Sequence, residues 1–332
     1  MPITTQLDQP IEQLKLGNLR RLAQRLNVSL GELTGIADNA KSHYKPFPLQ
    51  PKKNLFSRKP PKPPRPIDRP TGRLLEVQRS INDILLGSIL LPEHINGAVP
   101  KRTIYLNAEM HRGAPVLVTI DIKQCFPSIT SKHIYQVWCK TLGCSPEIGA
   151  LLTKLTTFER RLPQGAPTSP ALANLFIWSI DEPVRALCME LGLSYSTWLD
   201  DLAFSGARAR EAIQQVIQCL AASGLAVSHK KTKLMGGHAI KKLTGTRLGG
   251  AALRFPKPYL SNVRAGIWTL SQGKVPASME LRNAAQLLGR LRHVRRVCAA
   301  DFMPLLKHLQ RHVATFPAAV RPSFEEFLVA LD

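Results

Sequence analysis

Two aspartates stand side by side in an otherwise apolar stretch, Trp198-Leu199-Asp200-Asp201-Leu202-Ala203-Phe204. With Tyr195-Ser196-Thr197 before it and Ser205-Gly206 after it, the stretch predicts a β-hairpin with both acids at its tip. Adjacent like charges in an apolar hairpin repel each other. A divalent cation compensates them, and Mg²⁺ takes carboxylate oxygens together with substrate phosphates. Most Asp-Asp pairs are ordinary turns, so the pair needs company before it means chemistry.

The company lies upstream. Val116-Leu117-Val118-Thr119-Ile120 is an apolar, β-branched run that predicts a buried strand. It ends at Asp121 and continues as Ile122-Lys123-Gln124-Cys125-Phe126-Pro127. An acid at a strand end and a pair on a neighbouring hairpin can converge on two metal ions, the arrangement that clamps the attacking and leaving oxygens of a phosphoryl or nucleotidyl transfer. A third element is Arg161-Leu162-Pro163-Gln164-Gly165-Ala166-Pro167-Thr168-Ser169-Pro170, leading into Ala171-Leu172-Ala173-Asn174-Leu175-Phe176-Ile177-Trp178. Ser169 is the expected N-cap of a helix with Pro170 at its first position, and Gly165 permits close approach of a ligand to the backbone.

In this order and spacing the elements resemble the palm of the reverse transcriptase family. Asp121 with Phe126 resembles its first motif, Gln164-Gly165 through Ser169-Pro170 its second, Asp200-Asp201 its third, and Gly224-Leu225-Ala226-Val227-Ser228-His229-Lys230-Lys231-Thr232 its fourth. Asn107-Ala108-Glu109-Met110-His111 is similar to the Asn-Ala-x-x-His element of retron reverse transcriptases, and Leu243-Thr244-Gly245 to their Val-Thr-Gly triplet. The chain departs from the pattern at Trp198-Leu199, where Tyr-Ala is usual, and at Ser228, where Asn is common. These changes bear on rate and fidelity, since no acid is lost.

The resemblance implies an α+β right-hand polymerase fold. Its expected parts are an N-terminal helical segment (1–44), fingers (45–114), a palm of antiparallel sheet and packed helices (115–240) with inserted finger helices around 145–168, and a helical thumb (241–332). It implies an RNA-directed DNA polymerase. Asp121, Asp200 and Asp201 would hold two Mg²⁺ ions, with Asp201 the more peripheral. Phe126 would exclude the 2′-hydroxyl and so select dNTPs, with a plain core phenylalanine as the alternative. Arg65, in Arg65-Pro66-Ile67, would face the triphosphate, and Gln164 and Gly165 would line the nucleotide pocket. Lys231 would give a proton to pyrophosphate or serve as a surface lysine. Asn107, His111, Thr244 and Gly245 would recognise a cognate structured RNA that is both template and primer. The basic helix face carrying Arg292, Arg295 and Arg296 would grip the RNA–DNA duplex, chiefly through backbone and 2′-hydroxyls. Retron kinship further implies priming from a 2′-hydroxyl of that RNA, branched RNA-linked DNA, and phage defence with an effector protein. The rival readings are a group II intron-like or other bacterial reverse transcriptase, an idle RNA-binding protein on the same fold, and an RNA-dependent RNA polymerase, against which the absence of Gly-Asp-Asp and the presence of Phe126 count.

Composition agrees. Lys and Arg number 45 against 23 acids, a net charge of +22 over 332 residues, which predicts a polyanionic partner. Ribosomal and membrane-surface proteins share such a balance, and the palm elements favour a polymerase. Six cysteines (125, 139, 144, 188, 219 and 298) show no zinc-site spacing. No window reads as a membrane span, so a reduced, cytoplasmic setting is expected. No RNase H-like, endonuclease or maturase segment is recognisable. Residues 11–38 carry helical periodicity and read either as a helical cap or as a helix-turn-helix. The Pro- and Lys/Arg-rich run 45–73 reads as a linker by composition and as finger strands by resemblance. Leu281, Leu287, Leu288, Leu291 and Val294 mark a thumb helix, with another over Arg264 to Leu270.

Overall fold

The structure, a computed structural model, describes residues 14, 16–50, 63–237, 239–249 and 252–331. The chain divides into two compact units, Met1–Arg102 with Val118–Leu234, and Thr103–Leu117 with Met235–Asp332.

The periodic N-terminal stretch forms two short helices, α1 (Leu19–Arg25) and α2 (Leu30–Asp38). Asn18 and Ser29 cap them, accepting hydrogen bonds from the backbone N–H of Arg21 at 3.0 Å and of Glu32 at 3.1 Å. Each cap satisfies a donor that the helix start leaves free. Leu22, Ala23, Leu33, Ile36 and Ala37 are buried, and both helices pack on the later helix Pro146–Thr156. They are a helical cap on the first unit. The periodicity at residues 11–13 and 15 lies outside the described residues.

The Pro- and basic-rich run pairs as a ribbon. Strand β1 (Tyr44–Leu49) lies antiparallel to β2 (Arg65–Pro70), in register from Tyr44↔Pro70 to Leu49↔Arg65. A two-stranded ribbon tolerates its prolines because each strand has a free edge where no ladder donor is needed. The basic positions 52, 53, 58, 59 and 62, and most of the Lys59–Pro64 insertion, lie outside the described residues. Helix α3 (Gly72–Ser80) follows β2. Helix α4 (Ile104–Glu109), capped by the Thr103 hydroxyl, belongs to the second unit.

Strand β3 (Leu117–Asp121) is buried, with Leu117, Val118 and Ile120 fully covered. After it come α5 (Cys125–Ser128), α6 (Ser131–Gln136), α7 (Pro146–Thr156), α8 (Ser169–Ile180) and α9 (Glu182–Glu190). Helix α8 begins one residue earlier than its cap signal predicts. Thr168 is the N-cap, and the Ser169 hydroxyl instead donates to the Pro163 carbonyl at 2.7 Å, closing the loop that leads into the helix. The predicted hairpin is β4 (Ser194–Trp198) and β5 (Asp201–Ser205), followed by α10 (Ile213–Ala222) and β6 (Lys233–Met235). The four strands order as β4-β5-β3-β6, which sets the acid-bearing hairpin beside the strand that ends at Asp121.

The second unit carries a small meander, β7 (Lys242–Leu243), β8 (Thr246–Leu248) and β9 (Leu253–Arg254). Helices α11 (Lys257–Ser271), α12 (Ala277–Val297), α13 (Ala299–His312) and α14 (Arg321–Val329) follow. Val263, Ile267, Leu287, Leu288, Leu291, Val294, Phe302, Leu305 and Phe324 form its core. Leu281 was expected in this stripe but is 68% exposed. It is the fifth residue of α12, and the buried small residue in that half of the helix is Ala284.

Candidate active site

Backbone hydrogen bonds bring the acids together. Trp198 pairs with Asp201 across the hairpin, so Leu199 and Asp200 form its two-residue turn. The Ile122 N–H donates to the Asp200 carbonyl at 2.8 Å, and the Ser228 N–H donates to the Asp121 carbonyl at 2.8 Å. The end of β3 is thus fastened on one side to the Asp-Asp turn and on the other to the Ala226–Ser228 segment, which also receives the Lys123 N–H at its Ala226 carbonyl.

Asp121 is buried. Its Oδ2 accepts a 2.8 Å ion pair from Lys231 Nζ, while its Oδ1 is buried with no hydrogen-bond partner. Burial pushes the Asp201 carboxyl up to about 6, helped by the charges of Asp200 and Asp121. Burial also raises Asp200, with Asp121 adding to the rise and Lys231 and Arg65 opposing it. Lys231 is itself raised, first by its hydrogen bond to Asp121. Among the described residues no three His, Cys, Asp or Glu side chains already form a metal-holding cluster, and the Lys231 ammonium supplies the counter-charge at Asp121. An orphaned carboxylate oxygen beside two acids held in their protonated direction fits a hard divalent cation, which takes oxygen ligands and favours the ionised forms.

A cavity of about 470 Å³ in the same unit is lined by Arg65, Arg69, Arg79, Phe126, Gln164 and Gly165, with Ile67, Pro167 and Pro170 among its apolar walls. Four expected nucleotide-site residues therefore share one recess. The Asp68 N–H donates to the Gln164 carbonyl at 2.7 Å, which ties the ribbon to the Gln-Gly loop. Gly165 has φ +109°, and a Cβ there would stand 2.7 Å from Ile67 Cγ2, so only glycine fits. Phe126 is half-buried on this wall, one residue after Cys125, whose thiol burial pushes up to about 12.

Sequence reasoning missed Arg69 and Arg79. Arg69 had a signal, since residues four apart on a strand share a face with Arg65. Arg79, on α3, had none.

The residues expected to meet RNA lie in the second unit and differ in exposure. Asn107 and His111 are buried, the Asn107 amide has no hydrogen-bond partner, and burial lowers His111 to about 4. These two side chains face the interior rather than an RNA surface. Thr244, at φ +46°, donates its hydroxyl to the Ile104 carbonyl at 3.2 Å, and Gly245 is exposed at φ +83°. Arg292, Arg295 and Arg296 lie on the exposed face of α12. Arg292 stands 5.9 Å over the Phe327 ring, and Arg295 reaches the Ala330 carbonyl at 3.4 Å.

Residues 50–249 match the family model described as reverse transcriptase (RNA-dependent DNA polymerase). The chain belongs to the reverse transcriptase family. It is an RNA-directed DNA polymerase of the α+β right-hand class, a family of enzymes that use divalent metal ions. It is similar to the retron Ec86 reverse transcriptase of Escherichia coli, 26% identical over 262 residues, covering 78% of this chain and 80% of that protein. The retron Se72 enzyme of Salmonella heidelberg is 28% identical over 190 residues, 57% of this chain and 48% of that one. The retron Mx162 enzyme of Myxococcus xanthus is 27% identical over 301 residues, 78% of this chain and 60% of that one. The chain thus spans about half to four-fifths of the length of these relatives. Among solved structures, a foamy viral protease-reverse transcriptase in complex with RNA/DNA hybrid aligns with a TM-score of 0.46 at 18% identity, covering 87% of this chain and 33% of that one. Among the described residues no helix is long and apolar enough to cross a membrane.

Proposed function

We propose that this reverse transcriptase copies part of a structured RNA from its own locus into DNA, starting from a 2′-hydroxyl of that RNA and leaving a branched RNA–DNA product. The observation that carries the polymerase chemistry is the backbone junction that sets the Asp121 end of β3 beside the Asp200-Asp201 turn. The retron reading is supported by the Asn107–His111 and Leu243–Gly245 elements and by the character of the curated relatives.

Asp121, Asp200 and Asp201 are the residues that would hold two Mg²⁺ ions, which when bound activate the primer hydroxyl and neutralise charge at the leaving pyrophosphate. The remaining work falls to the chain's own side chains. Arg65 and Arg69 receive the dNTP triphosphate, as guanidinium forks suit phosphate oxygens. Phe126 closes the space that a ribose 2′-hydroxyl needs. Gln164 and Gly165 bring backbone close to the nucleotide. Lys231 keeps its proton while Asp121 is bare. Neutralising Asp121 withdraws that support and makes Lys231 Nζ a better proton donor to pyrophosphate.

In subdomain terms, residues 45–114 act as fingers, 115–240 as palm and 241–332 as thumb, with 1–44 capping the fingers, although Thr103–Leu117 belongs to the same compact unit as the thumb helices. Thr244, Gly245 and the Arg292–Arg296 face meet the RNA and its duplex product. The buried Asn107 and His111 act by shaping that unit. An effector protein and a role against phage complete the retron reading.

The test is binding and priming by the purified chain. A structured RNA transcribed from its locus should bind far more tightly than unrelated RNA of equal length, and the gap should survive added salt, which weakens phosphate contacts in both. Thr244 and Gly245 substitutions should erase the gap and stop self-priming, yet spare extension of an annealed primer. Equal binding of both RNAs by the wild type would reduce the reading to a reverse transcriptase without a dedicated RNA.

A further inference from the structure

The second unit holds a recess that the polymerase reaction does not use. It has a volume of about 240 Å³ and lies where the meander meets α11 and α13. Phe255, Leu260, Pro304 and Leu305 supply apolar lining, and Arg247 on β8, Arg254 on β9, and Lys257 and Arg264 on α11 line the recess with them.

The charges are not balanced locally. Asp301 is the acid at the recess, it is buried, and both its oxygens are engaged. Oδ1 pairs with Arg254 Nη2 at 2.7 Å and Oδ2 accepts from the Phe255 N–H at 2.7 Å. Asp301 therefore fixes the β9–α11 corner and offsets Arg254. Among the described acids none pairs with Arg247, Lys257 or Arg264. The positive N-terminus of α11, which begins at Lys257, adds to the field.

Three lining cations with no acid partner among the described residues, set among apolar side chains, point to the class of ligand. A simple anion would leave the apolar lining uncovered, and an apolar molecule would leave the cations unanswered. A nucleic-acid duplex keeps its bases inside and cannot present one to a recess of this size. A single unpaired nucleotide answers both features, with its phosphates on the cations and its base on the apolar lining. Unpaired bases that splay against apolar and guanidinium surfaces are the usual handle on folded RNA. We propose that this recess captures one unpaired nucleotide of a bound RNA. The proposal rests on the reading of the chain as a binder of structured RNA, and it adds a site to the Thr244–Gly245 element and the α12 arginines.

Fluorescence anisotropy with a labelled single-stranded RNA of about ten nucleotides, a length suited to single-strand sites, and with an RNA duplex of equal length tests it. The Lys257→Ala/Arg264→Ala variant should weaken single-strand binding about 10-fold and lower its log–log salt slope by about 1.4, that is ~0.7 for each cation removed. Ala300→Trp fills the recess without touching charge, so it should weaken single-strand binding with the salt slope unchanged. Duplex binding should stay within about twofold in both, because phosphate contacts elsewhere carry it. Melting temperatures of both variants confirm folding. If the duplex loses as much as the single strand and Ala300→Trp does nothing, the lining cations are a general cationic surface and the proposal falls. If single-strand binding depends on these residues while the wild type prefers no RNA from its locus, the recess stands and the dedicated-RNA reading falls.

Discussion

Gly97 and Leu199 touch through their backbones. A Cβ on Gly97 would stand 2.5 Å from the Leu199 amide nitrogen and 2.9 Å from its Cγ. Leu199 holds φ +54°, a conformation that costs a non-glycine residue roughly 1 kcal/mol or more. The Gly97 loop helps hold it there. The Asn96 N–H donates to the Thr197 carbonyl at 2.9 Å, the Thr197 N–H donates to the His94 carbonyl at 2.7 Å, and Asn174 Nδ2 donates to the Gly97 carbonyl at 2.7 Å. The loop is a splint along β4 that ends against the turn carrying Asp200.

Gly97→Ala should therefore displace that turn. We expect the turnover of primer extension to fall about 10- to 100-fold, the scale set by an ångström of misplacement, with the KM for dNTP little changed. Steady-state kinetics on an annealed primer read the split, and an unaltered turnover would show that the turn has slack.

Loss of the carboxylate charge of Asp121 or Asp200 should stop chemistry without harming the fold. Asp121→Asn and Asp200→Asn should each reduce Mg²⁺-dependent primer extension at least about 10³-fold, as expected where electrostatic stabilisation dominates. Melting temperature should hold or rise for Asp200→Asn, since a carboxylate disfavoured by burial is removed. Wild-type turnover in either variant would exclude these acids from the site.

Asp201 gives the molecule a pH signature. Its carboxyl is raised in the fold to about 6 from an ordinary value of 3.8. Folding thus favours the protonated form. The contribution is fully present below the unfolded value and is lost as pH climbs through about 6. In metal-free protein, Asp201→Asn should raise the melting temperature by a few degrees at about pH 8 and have little effect at about pH 4. Added Mg²⁺ should stabilise the wild type more than the variant at the higher pH, because the ligands must be deprotonated to bind. A variant effect that does not change with pH would contradict the assignment.

Sugar choice should rest on Phe126. Phe126→Val or Phe126→Ala opens the wall of the recess it shares with Arg65 and Gln164, and discrimination against rNTPs should fall by roughly 10- to 200-fold, the range that one apolar packing contact commands. Comparing rNTP and dNTP incorporation on one template measures it. An unchanged ratio in an active variant would make Phe126 a packing residue.

Sequence alone determined the elements whose signals are local. The buried run before Asp121, the apolar flanks of Asp200-Asp201, and the Gln164–Pro170 loop before an apolar helix each depend on neighbours in the chain, so pattern and turn chemistry were enough to find them. The apolar stripe of α12 was legible for the same reason, except at Leu281, which faces outward near the start of the helix where periodicity does not report it. Tertiary structure decided what distant segments share. Lys231 reaches Asp121 across 110 positions. Arg69 and Arg79 join Phe126 in one recess, and Gly97 fits against Leu199. Burial took Asn107 and His111 from the surface, and the pairing of β1 with β2 made a ribbon of a stretch whose composition reads as a linker. Each of these depends on which surfaces meet once the chain has collapsed. That is set by the packing of the whole and by the desolvation it imposes, and no short window of residues encodes it.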